Sequence, residues 1–157
     1  MLLVLALLLV TAIYWPGLHG GFLFDDYPNI VDNHGVQPSE VSIPALVRAT
    51  LSSPASEFKR PLASLSFALN YRATGLNPYW MKFTNLVIHL LNGWLVFWLT
   101  RRLLSEAAVI ENKTCPTTLE QQTNIIALLI TSAWLLLPIN LTAVLYVVQR
   151  MESMANL

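Results

Sequence analysis

Two adjacent carboxylates, Asp25 and Asp26, follow an apolar N-terminal run in the stretch Phe22-Leu23-Phe24-Asp25-Asp26-Tyr27. Paired acids beside a membrane are costly to keep unless something uses them, so their default reading is a functional site. A carboxylate placed there can take a proton from an acceptor hydroxyl, the work of a general base. The competing reading is a plain turn before Pro28, because Asp is common in turns. Far along the chain, Arg150 supplies an always-charged guanidinium whose parallel donors grip phosphate in a way that Lys cannot copy. Its alternative is an ion pair with Glu152 or with an acid on another helix. Glu152 is two residues away and so points elsewhere on a helix, which weakens the local pair. A base and a phosphate clamp together suit group transfer, the base activating the acceptor and the cation stabilising a departing phosphate.

Between these ends, Lys82, Asn85, His89 and Asn92 follow one another at steps of three, four and three, which puts all four on one helix face. A polar stripe in a membrane helix faces protein rather than lipid. It serves either as interhelical hydrogen bonding, for which Asn85 and Asn92 are well suited, or as the lining of a substrate path. Lys82, near the outer end, has the further option of snorkelling to the headgroups. The single cysteine, Cys115, excludes an internal disulfide and a multi-cysteine metal site, and its neighbours Thr114 and Pro116 place it in a loop. One acid pair without other nearby ligands does not define a coordination site. No metal site and no cofactor are assigned, and an assisting divalent metal stays open.

The elements that must position these groups are read from hydropathy. Of 157 residues, 55% are hydrophobic and 11% charged, which exceeds the apolar share of a soluble domain and gives an all-α polytopic membrane protein. Nine basic and nine acidic residues balance, and no basic cluster interleaves with aromatics, so nucleic acid is excluded as a partner. Residues 1–16 form a first transmembrane helix. It is retained rather than cleaved as a signal, since no Lys or Arg precedes it and it exits through Tyr14-Trp15-Pro16. Residues 17–78 form a long outer loop carrying the acidic motif and two amphipathic helices, opening at Ser42-Ile43-Pro44 and Arg60-Pro61. Leu62, Leu65, Leu69 and Ala73 recur at helical spacing, which suits helices lying on the membrane surface; ordinary packed loop helices are the alternative. A second span covers 79–100 and ends at Arg101-Arg102, the mark of a cytoplasmic end. A cytoplasmic loop at 101–123 leads to a third span at 124–138. Pro138 and Asn140 then read as a helix end and a new cap, so 140–157 begins a fourth span rather than extending a kinked third. The outer loop is then periplasmic or lumenal. Its Arg48, Lys59, Arg60 and Arg72 weigh little, because long loops translocate largely regardless of charge. The glycosylation acceptor patterns at Asn112-Lys113-Thr114 and Asn140-Leu141-Thr142 are too short to indicate function.

Taken in order, Phe22-Leu-Phe-Asp25-Asp26-Tyr-Pro-Asn-Ile, Arg60-Pro61-Leu, Asn70-Tyr71 with Gly75-Leu-Asn-Pro78, Asn85 with His89 and Asn92, and Pro138-Ile-Asn with Val-Gln149-Arg150 resemble a known family. The likeness is to the N-terminal membrane region of C-type (GT-C) glycosyltransferases, in the branch with tetratricopeptide repeats related to protein O-mannosyltransferases. It implies the N-terminal part of a GT-C transmembrane helical bundle, with interfacial helices in the first outer loop. It also implies inverting transfer from a polyprenyl-phosphate sugar donor to a hydroxyl on a protein or glycan acceptor. The enzyme would sit among the lipids of a bacterial inner membrane or the endoplasmic reticulum, with its active site on the periplasmic or lumenal side. On this resemblance Asp25 maps onto the catalytic base, Asp26 orients it or contacts the acceptor, and Arg150 maps onto the arginine that binds the lipid phosphate. Arg60 and His89 match recurring family positions and, with Lys82, complete the expected donor-binding set. The chain departs from the family at Leu137, where relatives often carry His before the proline. It departs again in length, three spans and the start of a fourth where the family needs many more, so further spans and helical repeats of about 34 residues are expected beyond Leu157. A non-enzymatic membrane anchor or assembly protein, and a transporter with the Lys82–His89 stripe along its path, are the competing classes.

Overall fold

The computed structural model describes residues 1–40, 42–54, 60–110 and 116–156, all of them helix, turn or irregular chain with no strand among them. Lys59, Cys115, Leu157 and the acceptor pattern at Asn112-Lys113-Thr114 lie outside the described residues. Helix α1 (Leu2–Tyr14) continues into a 3-10 turn at Trp15–His19, because Pro16 fits the first turn of a helix but cannot sit inside one. Helix α4 (Pro78–Ile110) is the long mast of the molecule. The stretches Leu2–His19 and Pro78–Ala108 are both long and apolar enough to cross a membrane, with most of each stretch facing outward. The eighteen residues of the first rise about 27 Å, close to the thickness of a bilayer core. Trp15 meets the rings of Tyr79 and Phe83 edge-on and His19 lies 5.1 Å from Tyr79, an aromatic cluster where the end of α1 meets the start of α4.

α4 does not stop at Arg101-Arg102. Its last turns Leu103–Ile110 are rich in helix formers, and Arg102 pairs with Glu106 one turn on at 3.1 Å, so the helix runs past the polar step. Helix α5 (Pro116–Leu135) begins with proline at its first position, and Arg101 reaches Glu120 on it at 3.0 Å. The stretch 101–123, expected as a loop, is therefore largely the facing ends of two helices. α4 and α5 pack closely at Gly93, where a Cβ would stand 2.6 Å from a methyl of Leu135.

The segment between α1 and α4 carries the two expected helices. Ser42 Oγ accepts the Ala45 N–H to cap α2 (Ile43–Thr50), and α3 (Pro61–Thr74) ends at Gly75, whose φ of +68° suits a residue without a Cβ. The small residues Ala45 and Ala49 of α2, with Ala63, Phe67 and Ala68 of α3, are buried. Ile43, Val47, Leu51, Leu62 and Leu69 are exposed.

The largest departure comes after Pro138. In place of one helix there is a short α6 (Asn140–Leu145), an extended residue at Tyr146, a 3-10 turn at Val147–Gln149 and a four-residue α7 (Arg150–Ser153). Asn140 does not cap this segment; its side-chain amide donates back to the Trp134 carbonyl at 2.6 Å, tying the chain across Pro138. Two buried clusters flank the break. Val10, Tyr14, Leu18, Leu86, Leu135 and Val144 pack in one, and Ile30, Phe67, Met81, Val147, Val148 and Met151 are the centre of the other, beneath the acidic turn.

Candidate functional site

The segment Leu23–Asp26 folds into a tight turn closed by the Asp26 N–H on the Leu23 carbonyl at 2.8 Å. At its corner Phe24 has φ of +33°, a left-handed setting that a bulky residue adopts only at a cost of about 1–3 kcal/mol. Its ring is 83% exposed, beside the acids. A single turn of π-helix, Tyr27–Val31, follows directly; such turns recur at functional sites.

The two carboxylates have opposite surroundings. Asp26 is fully buried, its Oδ2 accepting the Leu23 N–H at 3.0 Å and its Oδ1 the Val148 N–H at 2.7 Å. Burial raises its pKa above the ordinary carboxylate value; the amides of Leu23, Val148 and Val147 and the positive charge of Lys82 oppose that shift without overcoming it. Asp25 is exposed and its backbone is held from both sides. The Asp25 N–H donates to the Tyr146 hydroxyl at 3.1 Å, and the Asp25 carbonyl accepts from the Asn29 side-chain amide at 2.8 Å and the Asn29 N–H at 3.3 Å. The carboxylate itself has no protein partner among the described residues. One acid is thus a buried fastener and the other a presented group.

The polar stripe of α4 is buried throughout, and most of it binds main-chain carbonyls of the later helices. The Asn85 side-chain amide donates to the carbonyls of Val144, Tyr146 and Val147 at 3.1–3.3 Å. His89 Nε2 meets the Leu135 carbonyl at 3.1 Å, with its ring stacked on Trp134 and edge-on to Tyr14. Asn92 donates to the Ser153 carbonyl at 3.0 Å. These bonds are the interhelical fastening that the stripe's spacing allowed; at the break, the Tyr146 and Val147 carbonyls also accept the local N–H groups of Gln149 and Arg150. Lys82 does not snorkel. It is buried, its ammonium lying beside Gly20, where a Cβ would stand 2.9 Å from Nζ, and its charge acts on Asp26.

Arg150 is fully buried and pairs with no acid among the described residues. Its Nε donates to Asn85 Oδ1 at 2.8 Å, Nη1 to Ser66 Oγ at 3.2 Å and Nη2 to the Met81 carbonyl at 2.7 Å, while the guanidinium sits 4.5 Å over the Phe67 ring. Dipoles and a ring face thus hold the cation in place of a counter-charge. Glu152 pairs instead with Arg60 at 2.6 Å, and the Arg60 side chain is 38% exposed. Of the four expected donor-binding residues, Lys82, His89 and Arg150 are interior and Arg60 alone has its head at the surface. Tyr146 joins the site from outside the sequence motifs, and Asn29 and Phe24, which lie within the acidic motif, join it without a role having been assigned to them. Among the described residues no three His, Cys, Asp or Glu side chains converge on a point that would hold a metal. A cavity of about 610 Å³ lined by Trp98, Arg101 and Arg102 lies at the far end of α4, about 24 Å from Lys82 at the helix rise per residue. It has no part in the acidic turn.

Comparison with known proteins gives three informative relatives. Protein O-mannosyl-transferase TMTC3 of Homo sapiens is 31% identical over 153 residues, covering 94% of this chain and 15% of the relative. Its Mus musculus counterpart is 31% identical over 152 residues with the same coverage. Protein O-mannosyl-transferase Tmtc1 of Drosophila melanogaster is 33% identical over 101 residues, or 61% of this chain and 12% of the relative. The chain spans about 15% of the length of the first two. No protein-family profile and no solved structure matches it.

Proposed function

From the relationship of this chain to the protein O-mannosyl-transferases, we propose that it forms part of a membrane glycosyltransferase and supplies that enzyme's acidic turn. The reaction is transfer of a sugar, mannose on the strength of the relatives' names, from a polyprenyl-phosphate donor to a hydroxyl on a protein. The side of the membrane is periplasmic or lumenal, and the GT-C type of bundle is the architecture that the order of motifs supports. The observation that carries the reading is the presentation of Asp25: its backbone is fixed by Tyr146 and Asn29 while its carboxylate is exposed. A general base needs that combination of fixed position and free lone pairs.

In this reading the Asp25 carboxylate takes the acceptor's hydroxyl proton as the oxygen attacks the anomeric carbon. The bond from that carbon to the phosphate oxygen breaks, and its electron pair leaves on the polyprenyl phosphate. Asp26 keeps the turn in shape through its two amide contacts. Arg60, with the accessible head, meets the donor phosphate; Lys82 and Arg150 act from beneath as buried charges that favour an anion on the outer end of the bundle, with His89 as part of their support. Asp25→Asn keeps size and most hydrogen bonding but removes the base. Transfer by the intact membrane protein is expected to fall by about 10²–10⁴-fold. Undiminished transfer sinks the assignment.

A further inference from the structure

We propose that the Tyr146 hydroxyl is the positioning residue that presents the Asp25 carboxylate, an inference that rests on the glycosyltransferase reading above. The acidic turn is joined to residues 146–148 by two hydrogen bonds running in opposite directions. The Asp25 N–H donates to the Tyr146 hydroxyl, and the Val148 N–H donates to the Asp26 carboxylate. Together they act as a two-point clasp, one point on each acid, that stops the turn from rotating about either bond alone. The side chain of Asp26 is consumed in this clasp; that of Asp25 is not, because Asp25 contributes its main chain.

Tyr146 is itself held firmly. Its ring packs against the buried cluster of Phe67, Met81 and Val148, and its carbonyl accepts from Asn85 at 3.1 Å. A phenol on such a base is a fixed point, unlike a serine or water that would follow the turn as it moved. Its oxygen accepts from the Asp25 amide, and the hydroxyl keeps its own hydrogen as a donor. That hydrogen is available to an oxygen of the bound acceptor or to the Asp25 carboxylate.

The test compares Tyr146→Phe with Asp25→Asn in the intact membrane protein, with polyprenyl-phosphate mannose as donor and a Ser/Thr peptide library as acceptor. Tyr146→Phe retains the packed ring and loses only the oxygen. The expected result is a fall of about tenfold in kcat with donor KM within twofold, and about fivefold faster deuterium exchange in residues 22–27, at a nearly unchanged melting temperature. Wild-type kcat in Tyr146→Phe beside a dead Asp25→Asn overturns the tether while leaving the glycosyltransferase reading in place. A loss of activity matched by a comparable loss of global stability also overturns it, since that is the mark of a merely structural side chain. Full activity in Asp25→Asn removes the base and its tether together.

Discussion

Arg150→Lys separates two roles for the buried guanidinium, keystone and ligand clamp. The side chain joins α4, α3 and the broken C-terminal segment through Asn85, Met81 and Ser66, with Phe67 beneath it. An ammonium is a single point on a shorter stem, so it can serve one of these three acceptors and leaves two bonds unmade. Charge-assisted bonds are worth about 1.5–3 kcal/mol each, so the packing of 144–153 loses about 3–6 kcal/mol. At tenfold per 1.4 kcal/mol, amides in that segment are expected to exchange at least about a hundredfold faster. Deuterium exchange of the intact protein in detergent or nanodiscs reads this directly, with peptides from α1 as the internal control. Exchange in 144–153 changed by less than about threefold, alongside a marked fall in donor affinity, would refute the keystone reasoning and make the guanidinium a ligand group.

Asp26 gives a pH signature. A carboxyl whose folded pKa is raised contributes stability that is full below its ordinary value of 3.8 and is lost as pH rises through the folded pKa, so melting temperature is expected to decline across that interval and then level off. Asp26→Asn removes this slope while lowering stability overall, because its amide sets a donor against the Leu23 N–H; an unchanged slope in melting scans excludes Asp26 as its source. Gly93→Leu forces a side chain into the space held by Leu135, at about 1–3 kcal/mol of overpacking, more than the roughly 1 kcal/mol gained in helix propensity on replacing glycine. Thermal unfolding is expected to shift downward, and an unchanged midpoint would mean that α4 and α5 are not in close contact there.

Local signals gave the helices and missed their interruptions. Ser42 and Pro61 announce α2 and α3 because a cap and a first-turn proline act on their immediate neighbours. The three-four-three spacing of Lys82, Asn85, His89 and Asn92 likewise fixes a shared face. What spacing cannot supply is the partner on the other side. The run Leu141–Arg150 is compatible with continuous helix, and at its break the backbone of 146–148 bonds to Asn85 and Asp26, groups distant in sequence. The same blindness applies to the acids. Asp25 and Asp26 are identical in type and adjacent, and it is Asp26 whose carboxylate is buried on the amides of Leu23 and Val148. Arg60 and Glu152 find each other for a similar reason: α7 is too short to keep Glu152 on its own helix face. Tyr146 carries no motif at all, being one aromatic in an apolar run, and its hydroxyl acquires meaning only beside the turn.

The clasp also has a timing. Asp26 and Val148 are separated by 122 residues, which at roughly 5–20 residues per second of synthesis is about 6–25 seconds. Throughout that interval the acidic turn exists without the amide and the phenol that shape it. The candidate base is thus an early-made residue assembled late, and lesions at 146–148 will be felt first as an acidic turn that never closes.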